Sequence, residues 1–270
     1  MPSTSTSTST STSTAIVTGA SRGLGRGIAA ALAADGHRVV LVARDPHDLV
    51  VAAEGMRGDV TVERADVADE DAVARLVASA GPIDIVVNAA GAPPVLKTPD
   101  HMTWEDWRAP IDVDVRGVFN VVRAAAPALV DGATVVNVAS GAVVAGTPLH
   151  ASYSAGKAAL LSLSRSLGAW LAPRGVATHC LSPSLTLLGG AGALAAAAFG
   201  APSGQTAEEW FAQRFGERML TPEATGAAVL ELLGEREGGD WVLGSFGLHR
   251  WAPLEAPAVT DWARPAAPAG

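Results

Sequence analysis

The chain reads as an open, doubly wound α/β fold: a mostly parallel seven-stranded sheet between two layers of helices. Three observations predict it. Short β-branched runs alternate with longer stretches of helical periodicity from residue 14 onward. Several of those runs are continuously apolar, as strands buried on both faces are. A glycine-rich turn joins the first run to the first helix.

The elements follow in order. Ala15-Ile16-Val17 is the first strand, and Gly23 to Ala34 a helix closed by Asp35-Gly36, glycine being the usual left-handed stop. Val39 to Val42 and Asp59 to Ala65 are the second and third strands. Asp69 to Ala80 is a helix whose acidic first turn suits its dipole. Ile83 to Val87 is the fourth strand. Trp104 to Val130 carries helical periodicity, broken late by Pro127. Thr134 to Val138 is the fifth strand, Ser152 to Leu171 a helix stopped by Pro173, and Val176 to Leu181 the sixth strand. Pro222 to Leu233 is a helix with proline at its start, and Asp240 to Leu243 a last short strand. There is no internal repeat beyond this rhythm.

With 270 residues, the chain suits one domain of this class, expected over 14–250. Residues 3–14 alternate Ser and Thr strictly, so 1–13 is expected to be a disordered tail. Residues 189–204 are rich in Gly and Ala and open a segment, 189–217, where a mobile substrate lid would stand. The Pro/Ala-rich 251–270 is expected to be a second tail.

Nineteen basic against 27 acidic residues give a net charge of −8, which argues against nucleic acid or an anionic membrane as partner. No apolar run reaches the roughly 18 residues of a membrane span, and the N-terminus lacks the pattern of a signal peptide. One cysteine, Cys180, forbids an intrachain disulfide and a thiolate zinc site; no cluster has metal-ligand spacing. A reducing, cytoplasmic setting is expected.

The turn Thr18-Gly19-Ala20-Ser21-Arg22-Gly23-Leu24-Gly25 follows a strand and opens a helix. Glycine permits positive φ and close ligand approach, and free N–H groups at a helix start favour phosphate. Its spacing is G-x-x-x-G-x-G. Which dinucleotide it holds depends on the end of the second strand: a carboxylate there accepts from a ribose 2′-OH, an arginine pairs with a 2′-phosphate. Ala43 supplies no carboxylate and Arg44 follows at once, with Arg22 as a second cation, so NADP(H) is expected over NAD(H). Asp45 is the competing signal, unless it caps a helix that starts at Pro46.

The chain's single tyrosine, Tyr153, lies four residues before Lys157, on the same face of a helix. An ammonium beside a phenol favours the phenolate and lowers its pKa from about 10. Ser140 ends the fifth strand, where ligands of open α/β sheets bind. Its hydroxyl can hold a carbonyl oxygen while the phenol donates a proton and the cofactor a hydride. Ser140 lacks the G-x-S-x-G elbow of a hydrolase.

These motifs together resemble the short-chain dehydrogenase/reductases, over about residues 14–185, with a Rossmann-like sheet. The resemblance implies a cofactor turn at Gly19, Ser21, Arg22, Gly23, Leu24 and Gly25. It implies an adenine contact at Asp66-Val67 and, at Asn88-Ala89-Ala90-Gly91, a motif that stabilises the sheet and flanks the cofactor. It implies catalysis by Ser140, Tyr153 and Lys157, with Lys157 also binding the nicotinamide ribose, and a homotetramer or homodimer. The chain departs from the family at three places. Asp114 stands where an asparagine usually supports a proton-relay water; as a carboxylate it holds the water differently, pairs with Lys157 or weakens catalysis, and it joins the catalytic candidates. Pro183-Ser184 replaces Pro-Gly, which leaves Pro183 as a cofactor contact and Thr186 out of step. The glycine-rich ending shortens to Gly244-Ser245-Phe246-Gly247.

The expected activity is NADP(H)-dependent reduction of a ketone or aldehyde, or the reverse oxidation. The alternatives are a cofactor-binding protein with weak or no catalysis, and an isomerase or dehydratase using the same tyrosine. Val143, Val144, Leu185, Leu187 and Leu188 hint at an apolar pocket. His179 and Cys180 read as core, His150 as a loop residue, Trp104 and Trp107 as packing residues; Trp210 and Phe211 read as packing or subunit contact, with a pocket wall as the alternative.

Overall fold

The computed structural model describes residues 12–143, 149–184, 197, 204–206, 209–210, 212–213 and 220–251. The chain runs β1 (Thr14–Thr18), α1 (Gly23–Ala34), β2 (Arg38–Ala43), α2 (Pro46–Glu54), β3 (Val60–Arg64), α3 (Glu70–Ala80) and β4 (Ile83–Asn88). Then come α4 (Trp104–Pro110), α5 (Val118–Ala125), β5 (Leu129–Val138), α6 (Ala151–Leu171), β6 (Ala177–Pro183), α7 (Pro222–Leu232), β7 (Gly239–Gly244) and β8 (Gly247–Arg250).

The strands form one sheet in the order β3-β2-β1-β4-β5-β6-β7-β8, parallel except for β8. The order reverses between β1 and β4, so a crevice opens at their carboxyl ends, where ligands of such sheets bind. Both faces are buried, which is why the strands carry little polar alternation. Along β1, Ile16 points into a core with α3, α5 and α6. Ala15 and Val17 point into the opposite core with α1, α2 and α7. Glycines let α1 and α7 touch: a Cβ on Gly226 would lie 2.7 Å from Ala31 Cβ.

The architecture is the doubly wound, Rossmann-like one expected, with eight strands instead of seven. The extra strand is β8, which folds back on β7 through Ser245-Phe246 and pairs antiparallel with it, Gly244 opposite Gly247. Gly247 takes φ +99°, which only glycine adopts readily. What read as a shortened glycine-rich ending is this hairpin.

The structure departs from three further expectations. The helix expected over Trp104–Val130 stops at Ala125, and β5 begins at Leu129, five residues before the expected Thr134. Its start pairs irregularly with β4, Ile83 opposite Leu129 and Ile85 opposite Thr134, so the polar Asp131-Gly132 interrupts the strand's pattern. The same stretch is also not one regular α-helix, because Ile111–Gly117 is a π segment between α4 and α5. Pro110 lacks an N–H and cannot continue the i→i−4 ladder, so the wider turn follows directly. Trp104, expected to pack, stands 76% exposed at the first position of α4.

Of the expected tails and lid, residues 1–11, 252–270 and most of 189–217 lie outside the described residues, as do Val144, Leu185, Thr186, Leu187, Leu188 and Phe211.

Candidate active site

The strands β1, β4 and β5 end at one rim, and the turns beyond them enclose a cavity of about 1060 Å³. Gly19, Ser21, Arg22, Gly23, Leu24 and Gly25 line one end. Ala89, Ala90, Gly91, Ser140, Tyr153, Lys157 and Pro183 line the other, with Arg44, Asp66 and Val67 between β2 and α3. Of the expected site residues only Asn88 and Asp114 are absent from the lining. Both are buried behind it, 2% and 0% exposed.

The glycine turn is built for close approach. Gly19 and Gly23 take φ +69° and +55°. A Cβ on Gly25 would sit 2.2 Å from the Gly19 carbonyl oxygen, and one on Gly19 would sit 2.7 Å from that of Ala89. The Thr18 hydroxyl accepts from the Ala90 N–H at 3.2 Å, locking the β1 and β4 ends together. Helices α2, α3, α4 and α7 each begin with a side-chain cap, from Asp45, Asp69, Thr103 and Thr221. Helix α1 has none, and its first residues, Gly23, Leu24 and Gly25, line the cavity, which suits a phosphate. The cradle therefore fits a dinucleotide.

At the second strand's end, Asp45 caps α2, accepting from the His47 and Asp48 N–H groups at 2.9 and 3.3 Å. Its carboxylate is thereby occupied with helix backbone. Among the described residues no ion pair engages Arg22, Arg44 or Arg64. Arg64 is a lining residue that sequence reasoning missed: it is opposite Ala43 in register, and its Nε donates to the Arg44 carbonyl oxygen at 3.2 Å. Only the pairing of β2 with β3 could have signalled it. Asp66 closes its own turn, accepting from the Ala68 N–H at 2.9 Å.

Tyr153 and Lys157 share one face of α6, as their spacing requires. The phenol-bearing residue is 7% and the ammonium-bearing residue 5% exposed. Lys157 does not spend its ammonium on the phenol. Nζ donates to the Val138 carbonyl oxygen at 3.1 Å, lies 3.6 Å from Asp114 Oδ2, and stands 5.8 Å from the centroid of the Tyr153 ring. Burial works against its charge, but the Asp114 carboxylate, helped by Tyr153 and Cys180, outweighs burial and holds its pKa above the usual lysine value.

Asp114 sits in the π segment, fully buried. Oδ1 accepts from the Ala92 N–H at 2.9 Å, tying that segment to the loop after β4, while Oδ2 has no hydrogen-bond partner. Gly91 keeps the gap open: its Cβ would come 3.3 Å from Asp114 Oδ1 and 3.5 Å from Lys157 Nζ.

Ser140 ends β5, its Oγ accepting from the Ala142 N–H at 3.2 Å. Behind it runs a buried chain of amides that the sequence did not reveal. Asn88 donates to Asn137 at 2.8 Å, and Asn137 to Ser164 at 3.0 Å. The Asn88 side chain thus braces the sheet and does not face the cavity. Ser184, in place of glycine, donates its hydroxyl to the Leu243 carbonyl oxygen at 3.1 Å.

The residues left unpromoted fall as follows. His150 starts α6, its ring edge-on to Tyr153 at 6.0 Å. His179 is buried and accepts from Trp241 Nε1 at 3.1 Å. Cys180 is 1% exposed, and burial pushes its thiol up to about 12. Trp107 is half-buried, and Trp210 is not among the cavity's lining residues. No group of three or more His, Cys, Asp or Glu among the described residues is placed to hold a metal. Likewise, no described helix is long and apolar enough to cross a membrane.

Comparison with known proteins agrees with this geometry. A 3-oxoacyl-(acyl-carrier-protein) reductase FabG of Thermotoga maritima is 33% identical over 145 residues, 50% of this chain and 57% of that protein. The dehydrogenase/reductase SDR family member 4 of Homo sapiens is 33% identical over 163 residues, 57% of this chain and 59% of that protein. The match thus spans rather more than half the length of these relatives. Among solved structures, a point variant of actinorhodin polyketide ketoreductase with NADPH superposes with a TM-score of 0.74 at 25% identity, covering 85% of this chain and 95% of that one. A dehydrogenase/reductase from Sinorhizobium meliloti 1021 gives 0.72 at 26% identity, covering 85% and 92%. Residues 13–194 match the short chain dehydrogenase family. The fold, the glycine cradle and the Ser140, Tyr153, Lys157 cluster thus coincide with that match, and the chain belongs to the short-chain dehydrogenase/reductases.

Proposed function

We propose that the protein is an NADP(H)-dependent oxidoreductase that reduces a ketone or aldehyde to an alcohol, or runs the reverse. The observation that carries this reading is the continuity of one cavity from an uncapped helix start to Ser140, Tyr153 and Lys157. A bound nicotinamide dinucleotide would supply or accept the hydride. Ser140 Oγ holds the substrate oxygen, and Tyr153, four residues from Lys157 on α6, gives that oxygen its proton in reduction and takes it back in oxidation. Lys157, anchored on Val138, offers its remaining donors to the nicotinamide ribose. Both Tyr153 and Lys157 are nearly closed off from solvent, which strengthens every interaction among them.

The choice of NADP(H) is supported by three arginines that line the cavity, Arg22 in the glycine turn, Arg44 after β2 and Arg64 at the end of β3, without carboxylate partners among the described residues, and by Asp45 serving as a cap. The reductase names and the NADPH of the solved relative point the same way. The substrate is a small carbonyl compound. We further propose a single domain over 14–250, a cytoplasmic setting, and assembly as a homodimer or homotetramer; Phe119 and Trp170, 41% and 54% exposed, are apolar surface that assembly would cover.

Fluorescence titration with NADPH and NADH, followed by turnover on a carbonyl panel, tests the reading. NADPH should bind more tightly and be oxidised. Tyr153→Phe should lose nearly all turnover and keep its affinity for NADPH. Retained turnover refutes the assigned chemistry, and a clear preference for NADH refutes the role of the arginines.

A second reading is favoured by Asp114, which stands where the family usually has asparagine: a dinucleotide-binding protein with little redox catalysis. Robust turnover by the wild type would exclude it.

A further inference from the structure

We propose that Asp114 is a positioning residue that offsets the charge of Lys157 beside Tyr153 and so sets the site for carbonyl reduction. The inference rests on the functional reading above and gives it a direction.

Asp114 is 0% exposed, and its Oδ1 is spent on the Ala92 N–H at 2.9 Å. Oδ2 faces Lys157 Nζ at 3.6 Å and has no hydrogen bond of its own. An asparagine at this position could make the same bond to Ala92 through its carbonyl oxygen, but would present neutral NH₂ donors to Lys157. The carboxylate therefore adds one negative charge, next to the ammonium, without being needed for the local fold. In a buried place such a charge is screened less than in water and acts more strongly on its neighbours.

An unopposed ammonium draws the proton off a nearby phenol; an ammonium paired with a carboxylate draws it far less. Among the described residues, the titratable groups that face this cluster are few. Tyr153 and Lys157 come from α6, and Asp114 from the π segment. Cys180 comes from β6, its thiol pushed up to about 12 by burial and hence neutral. His150 lies edge-on to Tyr153, and burial lowers its pKa, so it is also neutral near pH 7. Asp114 is then the charge that balances Lys157.

In reduction the carbonyl carbon gains hydride from the reduced dinucleotide, the carbonyl oxygen gains the Tyr153 proton, and the dinucleotide leaves oxidised. A proton-bearing phenol serves that direction. Oxidation needs the phenolate and is displaced to alkaline pH.

Tyr153 is the only tyrosine of the chain, so the growth of phenolate absorbance on raising pH reports this one hydroxyl, against tryptophans that do not titrate. The titration needs neither substrate nor dinucleotide. Asp114→Asn should develop phenolate about one pH unit lower than wild type, a tenfold gain in acidity. Asp114→Ser, which also leaves an acceptor for Ala92, repeats the test should Asn fail to fold. With substrate, the pH at which alcohol oxidation becomes half-maximal should move down in step. Superimposable titrations of wild type and a folded variant overturn the inference. Absence of turnover on every carbonyl tested, with the titration shift present, counts instead against the functional reading.

Discussion

Acidification should destabilise this protein through one histidine before its carboxylates titrate. His179 lies in β6 with no exposed surface, and its Nδ1 accepts the indole N–H of Trp241 at 3.1 Å. A ring nitrogen that accepts a hydrogen bond cannot carry a proton without breaking it. Burial lowers the pKa to about 4, against the Glu235 backbone, which favours the charged ring, and with Arg250 adding repulsion. In the unfolded chain the imidazole returns to about 6.5. Above that pH both states are neutral and His179 contributes nothing. Between 6.5 and about 4 the unfolded chain binds the proton and the folded one does not, so stability falls as pH falls; below that the loss is complete. A gap of this width corresponds to on the order of 3 kcal/mol. At about 2 °C per kcal/mol for a domain of this size, Tm should drop by on the order of 6 °C. The assay is thermal or urea unfolding at several pH values between 7 and 4, for wild type and His179→Gln. Glutamine can accept the Trp241 N–H and does not titrate, so its curve should be the flatter by that amount. Parallel curves would refute the claim that His179 is buried neutral.

Other expectations concern the site. Arg44→Leu should weaken NADPH binding about tenfold or more, the worth of a hydrogen bond to a charged group, and leave NADH unchanged; fluorescence titration reads both. Gly25→Ala would place a Cβ 2.2 Å from the Gly19 carbonyl oxygen, so dinucleotide binding should be lost; a normal dissociation constant for NADPH would contradict the cradle. Cys180, 1% exposed with its thiol pushed up to about 12 by burial, should resist thiol reagents in the native protein and react within the same time once urea unfolds it.

How much could be read beforehand depended on distance along the chain. Helix α1 was legible to the residue, because Gly23 and the Asp35-Gly36 stop are local signals. The Asp45 cap was legible as one of two alternatives, since capping involves only the next three residues. The pairing of Tyr153 with Lys157 was legible too, because a helix brings residues four apart onto one face. That the pair meets Ser140 and the glycine turn rested on the rule that strand ends share a rim.

Contacts between segments far apart in sequence carried no such signal. Arg64 reaches the dinucleotide crevice only because β3 lies beside β2. The Asn88–Asn137–Ser164 brace joins three elements. Strand β8 exists because β7 offers it an edge, and its own four residues are mostly exposed. Asp114's departure from the family's asparagine was legible, and its pairing with Lys157 was one of three alternatives that the sequence left open. The π turn after Pro110 and the close passage of Gly91 bring its carboxylate to Lys157. Periodicity and caps are properties of a few adjacent residues, so the amino-acid order states them outright. Which charge faces which is settled by packing, because it depends on how separately formed elements come to rest against one another.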